Sequence, residues 1–264
     1  MKEHKLLKGV WKVVIAAFLL MPLIVTFVYS FAERWIYILP EGFTLDYYIQ
    51  TFTNEKFLMG IVRGLIISLI PVVITNVCIL LALYVVIVYV SKLEKVVQIF
   101  CLIPSTISGI ILATSVLATY SGSNTIFANR VVMLCLIYCV FVMPMTYQGI
   151  RNSLYSVNTR GILDAAEMLG SRKFRSYVTI VVPSILPGLF NSALMCLSGL
   201  FGDFAIIKII ASSQYETAQA YLYRNRHTDT QALSAAVVIL LIITLIINYT
   251  VHKSQHVKKG KRNA

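Results

Sequence analysis

The sequence predicts an all-α membrane protein with six transmembrane helices, and three observations predict it. Hydrophobic residues make up 58% of the 264 positions, mean hydropathy is +0.79 and only 13% of residues are charged, where a soluble domain carries about 25% charged residues. Several runs stay apolar around the whole helical circumference for the ~20 residues that a bilayer core demands. The net charge of +12 gathers at the ends of those runs, so the basicity marks membrane boundaries and gives no support to nucleic-acid binding.

The first run, residues 13–31, follows a basic amphipathic lead. Ser30-Phe31-Ala32 resembles a leader cleavage site, but the run exceeds the ~7–15 residues of a leader's apolar core and contains Pro22. An uncleaved helix is the reading. Residues 32–56 form a polar, aromatic loop with a Pro-Glu-Gly turn, and Trp35 with its neighbouring tyrosines suits the headgroup belt. The second helix, residues 57–90, exceeds a simple span, so its start lies along the interface or protrudes, and Pro71 offers a kink.

A basic turn at 91–95 leads to a third run at 96–118, and after a polar break the fourth helix runs 131–150. Polar residues then occupy 151–182 before a fifth helix at 183–210 and a sixth at 232–252. This gives an N-terminal part (1–56: tail, first helix and external loop), a membrane domain (57–252) and a basic tail (253–264). Sixteen of the 23 Lys and Arg fall on the N-terminus, the 91–95 turn, the 151–182 loop and the tail. By the positive-inside rule that face, with both termini, is cytoplasmic.

The 151–182 loop is far longer than a helix–helix connection needs. Asn158 or Thr159 is expected to cap a helix through 160–169, Gly170 to end it in the left-handed conformation, and Ser171 to cap the next. Ile162, Ala165, Ala166 and Leu169 fall at stripe spacing, with Asp164 and Glu167 as polar flanks. A solvated surface helix would explain the following Arg172, Lys173 and Arg175, but it would not require the alanine pair or the glycine.

Here the residues resemble the cytoplasmic loop of the permease subunits of binding-protein-dependent type I ATP-binding-cassette importers. That signature reads Glu-Ala-Ala, three residues, Gly, nine residues, Ile, two residues, Pro. Asp164-Ala165-Ala166, Gly170, Ile180 and Pro183 keep its spacing, with Asp for Glu at 164, Ser171 for Ala, Tyr177 for Phe and Val182 for Leu. The resemblance implies a MetI-like fold with coupling helices between helices 4 and 5. It also implies docking of a separate ATPase on Asp164, Ala165, Ala166, Glu167, Gly170, Ile180 and Pro183.

The implied partners are a second permease chain, identical or related, two ATPase subunits, an external solute-binding protein and the lipid bilayer of a bacterial plasma membrane. The implied chain binds no cofactor, because Mg-ATP belongs to the partner ATPase, and catalyses nothing. Consistently, no Gly-rich phosphate loop ending in Lys-Ser/Thr occurs.

Asp203 is the one acid well inside an expected span, where insertion costs roughly 2.5–3.5 kcal/mol. With Gly202 and Ser198 it is a candidate for the solute path, the alternative being an acid that reaches water at the outer helix end. Gly-Asp-Phe at 202–204 and Pro-Glu-Gly-Phe-Thr-Leu at 40–45 resemble segments of family members that carry ferric iron, polyamines or aminoethylphosphonate. The small residues Ser192, Ala193, Ser198 and Gly199 suit either close packing or a pore face, and Ser68 and Asn76 pose the same choice.

Cys135 and Cys139 share a helix face, but two thiols alone are a poor metal site and packing is their expected role. The competing class is an ion-gradient-driven secondary transporter, which ordinarily needs more ionisable residues near the midplane and an internal repeat. An enzyme lacks its groups: the histidines sit outside the spans or at their ends, and Asp203 has no second intramembrane aspartate.

Overall fold

The computed structural model describes residues 2–34, 41–122, 125–211, 214–227 and 229–262, without the side chains of 2–10, 13 and 251–262. Trp35, Tyr37 and Pro40 of the expected aromatic loop fall outside it, as do the side chains of the basic tail.

The elements in chain order are α1 (Lys2–Phe31), β1 (Ala32–Arg34), β2 (Glu41–Phe43), α2 (Asp46–Thr53), α3 (Glu55–Val88), α4 (Glu94–Leu102) and α5 (Gly109–Tyr120). They continue with α6 (Arg130–Ser156), α7 (Thr159–Met168), α8 (Lys173–Ser176), α9 (Val182–Phe201), α10 (Ala205–Ile210), α11 (Ala218–Arg224) and α12 (Thr230–Arg262). Among the described residues five helices are long and apolar enough to cross a membrane: Val14–Phe31, α3, α6, the continuous helix Lys173–Phe201 and Thr230–Thr250. The bent pair Ser91–Thr106 and Gly109–Tyr120 brings the number to six when its two legs are counted as one broken span.

That pair departs from the expected straight third span, since its two legs meet at 94°. The cause is local. Pro104 ends α4 in a 3₁₀ turn over Ile103–Thr106, and Ile107 and Ser108 then take extended ψ angles of 132° and 134°, so no helical hydrogen bond crosses the joint. Pro71, by contrast, sits inside an unbroken α3. The expected fifth helix also divides, with α9 stopping at Phe201 and α10 starting at Ala205.

The expected loop at 32–56 contains structure of its own: β1 and β2 pair antiparallel, Ala32 opposite Phe43 and Arg34 opposite Glu41, and α2 follows. The chain forms two units, residues 1–59 with 221–243 and residues 60–220 with 244–264. In the first, Ser30 Oγ and Tyr48 Oη share a 2.6 Å hydrogen bond, Asn54 Nδ2 donates to Tyr221 Oη at 2.8 Å, and the Phe57 and Tyr221 rings lie 5.9 Å apart. Asp229 caps α12, accepting from the N–H groups of Gln231 and Ala232 at 3.1 and 3.2 Å.

The second unit has two apolar clusters. One joins α3, α5, α6, α9 and α10 around Ile67, Leu134, Tyr138, Leu200 and Ile206. The other joins α3, α6, α7 and the start of the fifth span around Leu83, Tyr147, Leu154, Leu163 and Tyr177. The most extensive helix pair is α6 on α9, and Gly149 permits it: a Cβ there would collide with the Cβ of Ser192. Small residues bring membrane helices this close because lipid supplies no hydrophobic drive to pull them together.

Candidate functional site

The polar stretch 151–182 is divided differently from its hydropathy. Residues 151–156 still belong to α6, and from Lys173 the chain is already in the helix that runs to Phe201. Only α7 and its flanking joints lie outside those two helices. Hydropathy marks where a helix leaves lipid, whereas α6 stops at Asn158, a non-glycine residue at φ +49° that breaks the helical hydrogen-bond ladder.

The expected cap at the start of α7 takes another form. Asn158 occupies the cap position without a side-chain bond, and Thr159 Oγ1 donates instead to the Leu154 carbonyl at 2.6 Å. At the other end Gly170 has φ +78°. Its N–H donates to Glu167 O at 2.9 Å and the Ser171 N–H to Ala166 O at 3.0 Å, the paired bonds of a Schellman stop. Ser171 does not cap α8, whose cap position is Arg172, and its hydroxyl accepts from Ser176 Oγ at 2.8 Å.

The expected stripe is corrected by one residue. Thr159, Leu163 and Ala166 are buried and Ile162 half-buried, at the i, i+3, i+4, i+7 spacing of a single face. Ala165 and Leu169 point the other way. Ala166 therefore lets α7 pack inward, while Ala165 leaves a low outer surface beside Asp164 and Glu167, both exposed. At the end of that surface Met168 and Leu169 are 90% and 88% exposed, which their apolar side chains alone would not predict.

Polar and aromatic contacts tie this element and its flanking helices together. Lys173 Nζ lies 2.9 Å from Glu167 Oε2, joining the end of α7 to α8. Tyr177 Oη donates to Leu80 O of α3 at 3.0 Å, and the Tyr84 ring lies 5.3 Å from Phe174 and 4.9 Å from Tyr177. Arg160 Nη2 donates to Ser91 Oγ at 2.5 Å. Glu94 receives Arg151 and Tyr155 from α6.

Of the signature residues, Asp164, Ala165, Ala166, Glu167 and Gly170 are gathered on α7 and its end. Ile180 and Pro183 sit exposed on the next helix. Residues Tyr177–Val181 form one π turn directly before Pro183, a widening that relieves the clash of a proline ring with the carbonyl four residues back.

Asp203 lies in the break between α9 and α10. It accepts a hydrogen bond from Tyr138 Oη at 2.9 Å and one from the Ile206 N–H at 3.2 Å, both at Oδ2. The small residues beside it divide in role. Ser192 is buried against Gly149, whereas a Cβ on Gly199 would meet nothing within 4 Å and Gly202 is exposed. Ser198 is half-buried, its carbonyl accepting from the Gly202 N–H at 3.2 Å. Ser68 and Asn76 are buried and bonded to their own helix through Gly64 O and Val72 O. Cys139 Sγ donates to Pro71 O at 3.8 Å, and among the described residues no cluster of His, Cys, Asp and Glu has the makings of a metal site.

Comparison with known proteins agrees with this arrangement. Residues 77–253 match the family of binding-protein-dependent transport system inner membrane components. The chain is 21% identical over 239 residues to the PhnV permease protein of a 2-aminoethylphosphonate transport system from Salmonella typhi, covering 89% of each chain. The corresponding protein of Salmonella typhimurium is likewise 21% identical over 239 residues, covering 89% of this chain and 88% of its own.

Among solved structures, the fold is similar to a bacterial ABC transporter involved in the import of the acidic polysaccharide alginate (TM-score 0.65, 21% identity, 96% of each chain). It is also similar to the inward-facing MetNI methionine ABC transporter (TM-score 0.61, 18% identity, 75% of this chain and 93% of that one). A helical chain with five apolar spanning helices and one bent pair among its described residues, which presents a stopped helix between α6 and the helix Lys173–Phe201 and whose sequence matches that family over most of its length, belongs to the binding-protein-dependent transport system inner membrane components: it is a non-catalytic, multi-pass permease subunit of a type I ABC importer.

Proposed function

We propose that this chain is one half of a translocation path, paired with a second permease chain and driven by two ATPase subunits that grip α7 on the cytoplasmic side. The observation that carries this reading is the outer face of α7. Asp164, Ala165, Met168 and Leu169 stand exposed on a helix held from behind by Leu163 and Ala166 and stopped by Gly170. Two large apolar side chains at 90% and 88% exposure, outside the apolar spans, are costly to leave in water. A partner's cleft relieves that cost.

Glu167, through Lys173, and Ile180 and Pro183 in the following helix tie the docked helix to the fifth span, so closing of the ATPases around Mg-ATP would move that span. No cofactor is assigned to this chain itself. An external binding protein would deliver the solute, and sequence likeness to PhnV supports 2-aminoethylphosphonate ahead of polyamines or ferric iron. Asp203, with Gly202 and Ser198, is assigned to the path, where the carboxylate would meet the solute's ammonium group.

The test is purification of the intact assembly through a tag on this chain. An ATPase subunit should co-purify and should cross-link to a photoreactive residue placed at Leu169. An assembly in which no ATPase touches residues 160–180 refutes the reading. Radiolabelled 2-aminoethylphosphonate, offered with the binding protein, tests the solute.

A further inference from the structure

We propose that Glu94 is a positioning residue that locks the start of α4 to the end of α6, just before the root of α7, so that movement of α7 passes into the bent third span as well as into the fifth. The inference rests on the reading of α7 as the ATPase-docked element. The sequence shows Glu94 only as a lone acid among the lysines of a short turn. In the fold both of its carboxylate oxygens are engaged. Arg151 donates from Nε and Nη2 to Oε1 at 2.9 and 2.7 Å, and Tyr155 Oη donates to Oε2 at 2.8 Å. The Arg151 guanidinium also lies 4.8 Å from the Tyr155 ring centroid, closing a triangle in which each side chain fixes the other two.

Two such charge-assisted contacts from one planar carboxylate define direction as well as distance. One contact would leave a pivot, and a second, separate one removes it. Arg160, in the first turn of α7, donates to Ser91 in the 3₁₀ turn Ser91–Leu93 immediately before Glu94. The turn is thus bound to α6 on one side of the Val157–Asn158 joint and to α7 on the other. From Glu94 the chain runs through α4 to the 94° bend, so α4 is a crank arm whose inner end is pinned at the lever. Coupling of this kind needs a contiguous packed network, in which Glu94 holds the α6 side and Arg160, through Ser91, the α7 side.

The experiment uses the intact assembly in lipid nanodiscs, with a reporter cysteine in place of Ser105, exposed at the bend, and with Cys78→Ala. Maleimide labelling of the reporter is compared between nucleotide-free and ATP–vanadate-trapped states. With Glu94 present the rate should differ about five- to tenfold between states. In Glu94→Gln that difference should fall to within about twofold while the ATPase still co-purifies and hydrolyses ATP. Tyr155→Phe, which removes one bond, should fall between. The exchange Glu94→Arg with Arg151→Glu should restore the response, which a merely folding-related defect would not allow.

A Glu94→Gln assembly that responds like the parent overturns the proposal, as does a parent whose reporter ignores nucleotide or an exchange that fails to rescue. Loss of the ATPase from Glu94→Gln alone also overturns it, making Glu94 a docking residue. Absence of any ATPase from the parent assembly instead overturns the importer mechanism on which the lock depends.

Discussion

Replacing Gly170 with valine isolates the stop of α7 as a mechanical part. Gly170 has φ +78°, and a Cβ built there meets nothing within 4 Å, so steric collision contributes nothing and the whole penalty is backbone strain. An L-residue in the left-handed region costs roughly 1–2 kcal/mol, and a β-branched one belongs at the upper end. The α7 helix has 10 residues, below the ~12–15 at which an isolated helix holds together, so its last turn depends on the bonds from Gly170 to Glu167 and from Ser171 to Ala166. A penalty of about 2 kcal/mol raises the open population of that turn about 30-fold.

Hydrogen exchange of the Ser171 amide in the intact assembly should therefore accelerate by about that factor. Met168 and Leu169 lose their fixed position with it, and ATPase co-purification should fall. Gly170→Asn, whose side chain tolerates the left-handed region, should change exchange by no more than about threefold. If the valine variant exchanges at the parental rate and holds its ATPase, Gly170 is not what stops the helix and the lever loses its rigid end.

Leu169→Asp and Met168→Asp should each weaken ATPase co-purification by about tenfold or more, the loss of an apolar anchor in a docking cleft; the thermal midpoint of the permease should stay put, because neither side chain packs inside this chain. Gly149→Val should destabilise the permease by about 1–3 kcal/mol through overpacking of α6 on α9, read as a lowered midpoint in detergent. A midpoint within error of the parent would contradict the collision that a side chain at 149 is expected to make with Ser192. Asp203→Asn keeps an oxygen for Tyr138 and the Ile206 N–H but removes the charge, so assembly and thermal midpoint should be unchanged while uptake of 2-aminoethylphosphonate falls about fivefold or more. Unchanged uptake would assign the carboxylate to holding α10 alone.

What could be read from the residues and what could not follow one physical division. Lipid imposes an all-or-none condition on composition, so runs such as 131–150 and 232–252 announce their helices. Gly170 was equally legible, since only a left-handed stop needs glycine between two helical stretches. The errors arose where one hydropathy value serves two geometries. Residues 96–118 are apolar on both sides of a right-angled bend, and only the backbone at Ile107 and Ser108 separates a span from two legs.

The stripe on α7 slipped for a related reason. Alanine is small enough for either face, so Ala165 and Ala166 left the register open by one residue until Leu163 was seen buried and Leu169 exposed. The tertiary bonds are a further step removed. Glu94 and Arg151 stand 57 positions apart, and neither stands out against its own neighbours. Their meeting follows from the packing of α4 against α6, which no periodicity within either segment announces, so the lock becomes visible only once the two helices are laid side by side.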